Sequence, residues 1–324
     1  MICLSQFEVI KIETDSTEIE LTKNSIYRIW EETYNLKDSV FYSIRYMKDT
    51  TQLHIEGWMN KKRQNFGKWK EFKIDGTWLY TIDYSNHLWK YNRKEFKYQY
   101  LKDSMKLKAD KILIEIFGQE FYDKNICFDF IGHTYIGKWK TYDDGGTFWI
   151  QEEYLGSWIE PIFKEPNTYV IKYDLKTSDS EIYDDMLTIE LDSTGNLIKE
   201  QSKFETRIDE IIVTKQDSFK ITKEIARTIC LENPLMESAN PFQTTLRFGR
   251  HKMGEYSGKF YYEVTQQYDE EKDGDCKPNC VITKYYNLWR IDPWSCELIF
   301  KEPMKTITRY SQGCGYTGNY LRIE

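Results

Sequence analysis

Apolar and polar positions alternate through most of the first hundred residues. Phe7, Val9, Ile10 and Ile12, followed by Ile19 and Leu21, predict strands over 6–22. Tyr42, Ile44 and Tyr46 fall on one face of a further strand, and strand-and-turn patterning continues to Tyr84. Asp75-Gly76 predicts a tight turn between two aromatic runs. Between these strands, Ile26, Ile29, Trp30 and Thr33 sit at helical spacing behind Asn24 or Ser25, which predicts a short helix.

The period then changes to that of a helix. Met105, Ala109, Ile112, Leu113, Ile116 and Phe117 form one apolar stripe over about 102–117, with Asp103 or Ser104 to start it and Gly118 to end it. A second helix is predicted over about 218–231, where Ile221, Ile225 and Ile229 recur every four residues. Asp217 or Ser218 would cap it and Asn233-Pro234 would stop it. Strand-like segments follow each helix, at 147–154, 168–175 and 186–191, then at 243–249, 259–268 and 281–291.

The expected fold is therefore α+β and mostly antiparallel β, an aromatic hairpin region followed by two helix-plus-sheet units. The regions are 1–100, 101–205 and a Cys-rich 206–324, with the polar stretch near 200–210 as the second boundary. Composition points the same way. Aromatics make up 16% of the chain, and the only alanines are Ala109, Ala226 and Ala239, so the best helix former is scarce and strand formers abound.

Two motifs recur. Gly67-Lys68-Trp69-Lys70-Glu71-Phe72, then Gly76-Thr77-Trp78, is echoed by Gly137-Lys138-Trp139-Lys140-Thr141-Tyr142, then Gly146-Thr147-Phe148. Both predict a hairpin held by cross-strand aromatic pairs. Ile162-Phe163-Lys164-Glu165-Pro166 likewise matches Ile299-Phe300-Lys301-Glu302-Pro303, and Asp192 to Ile198 has a counterpart in Asp292 to Ile299. These matches predict two structurally similar α+β units.

Gly57-Trp58, Asn60, Gly67-Lys68-Trp69, Phe72, Asp75-Gly76 and Trp78-Leu79 resemble bacterial MORN-like repeat proteins, some of which carry antitoxin or immunity-like labels. The helix-plus-sheet units resemble PepSY-like or cystatin-like domains, with Asp192-Ser193-Thr194-Gly195 fitting the turn of their last hairpin. Neither resemblance brings a set of catalytic residues.

The net charge of −7 argues against general electrostatic binding to nucleic acid or an anionic membrane. No apolar run is long enough for a membrane helix. Met1 to Gln6 does not read as a secretory signal, so the chain as written is expected in the cytoplasm. A leader lost from the start would place it in the periplasm or envelope, with Cys3 as a lipid-bearing residue.

Candidate chemistry is sparse. Gly313 to Gly318 spells GxGxxG, but too little chain follows for the helix and strand a dinucleotide site needs. Asp269 to Asp275 begins like a calcium loop, yet Cys280 stands where the last ligand should be, which leaves an exposed acidic hairpin tip. Cys276 and Cys280 are free thiols, a small disulfide in an oxidising compartment, or zinc ligands with Cys296 and Cys314 at spacings unlike a paired knuckle. The four histidines lie in no nucleophile or metal motif. The expectation is a protein without catalytic residues, metal or cofactor.

What remains is the aromatic content. Core packing is the plain reading. The sharper one is a binding face formed by Trp69, Phe72, Trp78, Trp139 and Trp149, since exposed tryptophan and tyrosine anchor interfaces. The expected function is accordingly protein binding, immunity- or antitoxin-like, with a protein partner neutralised by surface contact. The alternative is an envelope accessory or ligand-binding protein with PepSY-like units.

Overall fold

The computed structural model describes residues 7–13, 18–24, 29–35, 39–46, 52–60, 64–143, 145–198, 217–249, 258–273, 279–311, 314–318 and 320–323. Among them are eighteen strands and three helices, and the strands form mostly antiparallel sheets. The chain divides into two compact units. One comprises Met1–Ser104 with His133–Ile136 and Glu153–Asn167, and the other comprises Met105–Gly132, Gly137–Glu152 and Thr168–Glu324.

In the first unit, eight strands pair strictly in chain order: β1 (Phe7–Glu13), β2 (Glu18–Asn24), β3 (Ile29–Asn35), β4 (Ser39–Tyr46), β5 (Leu53–Asn60), β6 (Asn65–Phe72), β7 (Trp78–Asp83) and β8 (Leu88–Tyr91). Short hairpin connections make this order the simplest a sheet can adopt. The helix expected around Ile29–Thr33 is not there, because those residues form β3. Ile29 and Thr33 alternate with Trp30 and Tyr34 along a strand paired on both sides. β-branched and aromatic residues with partners on either side favour the sheet over one isolated turn of helix. Val40, Met59 and Trp69 form a buried cluster, with Tyr42, Ile55 and Tyr84 packed against it.

A helix, α1 (Gln99–Phe117), follows. It begins a turn earlier than the apolar stripe alone predicts. Its buried side is Met105, Ala109, Leu113 and Phe117, extended backwards by Lys102, which is fully buried. The Lys102 ammonium donates to the carbonyls of Ser157 (2.9 Å), Trp158 (3.1 Å) and Glu160 (2.9 Å). Those three acceptors make burial of a lysine tolerable. Desolvation still pushes its pKa down to about 8.

The second unit holds most of α1, then α2 (Gln119–Asn125). Its first sheet has the order β10-β9-β11-β12. The strands are β9 (Ile126–Thr141), β10 (Thr147–Ser157), β11 (Thr168–Lys176) and β12 (Ile182–Asp192). A third helix, α3 (Lys223–Glu232), precedes a sheet of order β13-β14-β15-β16-β17, with β18 (Leu321–Arg322) also on β16. Its strands are β13 (Gln243–Phe248), β14 (Phe260–Asp273), β15 (Asn279–Ile291), β16 (Leu298–Ser311) and β17 (Cys314–Thr317). Of the GxGxxG glycines, Gly315 lies in β17, a strand that opens no helix, and Gly313 lies outside the described residues.

α3 differs in phase from the sequence expectation. It is capped by the Thr222 hydroxyl, which accepts from the Ile225 amide at 3.1 Å, and it buries Ala226 and Cys230. Ile225 is 38% exposed. Residues 217–222 are not helical, so Asp217 and Ser218 cap nothing, Ile221 lies buried ahead of the helix, and only Ile225 and Ile229 of the expected row are on it. The second repeat also diverges. Ile299–Pro303 lies inside β16, whereas Ile162–Pro166 is a connection between β10 and β11. The paired Asp turns do agree. Asp192 Oδ1 accepts from the Thr194 and Asn196 amides, and Asp292 Oδ1 accepts from those of Trp294 and Ser295.

Candidate functional site

The two Gly-Lys-Trp-Lys hairpins close alike. In the first, the Lys73 amide donates to Thr77 O and the Gly76 amide to Lys73 O. In the second, the Tyr142 amide donates to Gly146 O and the Gly145 amide to Tyr142 O. Gly76 (φ +81°) and Gly145 (φ +85°) hold the left-handed position in each turn. The tryptophans nevertheless have different surroundings.

Trp69 is 6% exposed. Its ring lies over Gly57 of β5, where a methyl group would meet the indole at 2.0 Å, so the glycine makes the niche. Its Nε1 donates to the Trp58 carbonyl at 2.8 Å, and Tyr84 meets it edge-on at 6.4 Å. Trp69 is thus a core residue, which removes it from the surface expected of it. Phe72 and Trp78 are half-buried, and Trp78 Nε1 donates to the Thr81 hydroxyl at 3.0 Å. Neither forms an exposed cluster with Trp69.

The echo at 137–152 belongs to the second unit and carries its rings in the open. Trp139 is 51% exposed and stands edge-on to half-buried Trp149 at 5.4 Å. Thr141 and Thr147 share a hydroxyl hydrogen bond of 3.2 Å. Alternation along the strands puts this pair on the same side as the tryptophans. On the opposite side, exposed Tyr142 and Phe148 meet edge-on at 5.7 Å, with the Lys140 ammonium 5.0 Å from the Tyr142 ring. Lys138 pairs with Glu152 across the same side. An aromatic pair on each face of one hairpin, three of the four rings exposed, presents large apolar area with little side-chain entropy to lose on contact.

Of the expected binding residues, therefore, the structure brings together Trp139 and Trp149. Tyr142 and Phe148 complete the group. The echo already contained both, but no separate signal marked them as surface residues.

Cys280 is disulfide-bonded. Cys276 lies outside the described residues. Cys127, Cys230 and Cys296 are free thiols. Burial raises the pKa of all three, that of Cys230 to about 12, which holds them as unreactive thiols at neutral pH. Among the described residues, no group of three or more His, Cys, Asp or Glu side chains is placed to hold a metal ion. No described helix is long and apolar enough to cross a membrane. The chain matches no protein-family model, no curated protein and no solved structure.

Proposed function

We propose that this chain is a non-enzymatic protein-binding protein, immunity- or antitoxin-like, that grips a protein partner through the aromatic hairpin 137–152. The carrying observation is Trp139, half exposed in a hairpin whose buried counterpart shows that the same motif is able to pack. Two features support the finer resemblances. The hairpins of the first unit start at Phe7, Ile29, Leu53 and Trp78, a near-regular spacing that suits a MORN-like array. α1 with β9–β12 and α3 with β13–β16 follow the helix-then-sheet order of PepSY-like units. The disulfide at Cys280 favours a second reading, an envelope accessory protein, because such bonds persist in oxidising compartments.

The test is co-purification of the tagged full chain from its native host. The expected result is one stoichiometric protein that survives high salt and is lost with Trp139→Ala while the melting temperature holds. A clean preparation without a partner removes the immunity-like reading. A partner retained by Trp139→Ala moves the contact away from the hairpin.

A further inference from the structure

The second unit also contains a cavity of about 1330 Å³ that the aromatic hairpin does not use. Its walls are α3 and the segment 233–242, and its floor is β14 and β15. The segment 233–242 has no regular secondary structure, yet side chains pin it to the sheet. Asn287 Nδ2 donates to Met236 O (2.6 Å), and Asn287 Oδ1 accepts from the Met236 amide (3.0 Å). Gln266 Nε2 donates to Asn240 O (2.8 Å), Trp289 Nε1 to Asn233 O (2.9 Å), and the Ser238 hydroxyl to Gln267 O (2.6 Å). The cavity is therefore preformed, as ligand sites usually are.

These same bonds decide what fits inside. The carboxamides and the indole N–H on the floor already serve the wall segment, so a ligand body gains nothing from polar groups there. The accessible apolar lining is Phe242, packed edge-on at 5.8 Å against the buried Trp289, with Leu231 (61% exposed) and Met236 (52% exposed) at the surface. Glu181, the acid beside α3, is taken by Lys223 and by the Tyr183 hydroxyl (2.5 Å). Arg227 on α3 is exposed and has no acidic partner among the described residues. A guanidinium without a partner is a fork-shaped anion receptor. Glu237, the other lining charge without a partner among the described residues, stands on the segment 233–242 instead of on the helix.

We infer that this cavity binds an anionic amphiphile, an apolar chain or ring body over Phe242, Leu231 and Met236 with its carboxylate, sulfonate or phosphate end on Arg227. This site is independent of the aromatic hairpin and of its partner. The test titrates the full chain with laurate and with dodecyl maltoside, a neutral probe of equal chain length, both below micelle formation. Wild type should bind laurate saturably at one site. Arg227→Gln should weaken laurate about tenfold or more, the loss of one charge-assisted contact, and leave maltoside unchanged. Met236→Asp should weaken both probes, and Glu237→Gln should tighten laurate modestly. Arg227 and Met236 are exposed, so both variants should melt with the wild type. Absence of saturable laurate binding, or equal laurate affinity in Arg227→Gln, overturns the proposal.

Discussion

Trp69 and Trp139 sit in the same four-residue motif, ahead of the same turn, and meet opposite surroundings. The first is pressed onto Gly57 and roofed by Tyr84. The second is half exposed beside Trp149. The motif thus specifies a hairpin and not a destination for its tryptophan. The destination depends on whether a neighbouring strand supplies a niche, and Gly57 of β5 supplies one.

The largest test of this comparison is alanine at each position. Trp69→Ala should cost about 3–5 kcal/mol of folding stability, as deletion of a buried indole does. Trp139→Ala should cost less than about 1 kcal/mol. Chemical denaturation of both variants reads the gap, and equal losses would erase the distinction.

The contrast between buried and exposed extends to lysine. Lys102 is enclosed by three carbonyls, whereas Lys138 is exposed and paired with Glu152. The unfolded chain keeps the Lys102 proton up to the ordinary value of 10.5, and the folded chain releases it near 8. Between those values the unfolded state binds more protons, so stability rises with pH. The wild type should therefore gain on Lys102→Met by up to about 3 kcal/mol from pH 8 to 10.5. Urea titrations across that range decide it, and a flat difference for Lys102→Met would contradict its burial as a cation.

The smallest effect tests what the hairpins share. Gly76→Ala and Gly145→Ala both force a side chain into the left-handed region, so each should cost about 1 kcal/mol. Thermal melts that give unequal losses would show that the turns are not equivalent.

Local chemistry was legible in the chain; long-range placement was not. Asp75-Gly76 and the stripe Met105 to Phe117 announced a turn and a helix because the determining residues are neighbours in sequence. The class, mostly antiparallel β with a few helices, followed from period and composition. Lys102 was illegible, since the carbonyls that tolerate its charge come from residues more than fifty positions later. α3 turned to bury Ala226 and Cys230, small residues that allow close packing, and not the more apolar isoleucines. The cavity depends on Asn287 reaching Met236, a pairing no local pattern encodes. The site was half legible: the echo located the hairpin, but nothing in it distinguished Trp139 from Trp69.

Hydroxyl-radical footprinting read by mass spectrometry tests that distinction most directly. In the isolated chain, Trp139, Tyr142 and Phe148 should oxidise rapidly while Trp69 stays protected until the protein unfolds. Addition of the co-purifying partner should then protect the hairpin residues alone. Trp139 protected in the isolated chain, or still fully reactive in the complex, would contradict the account.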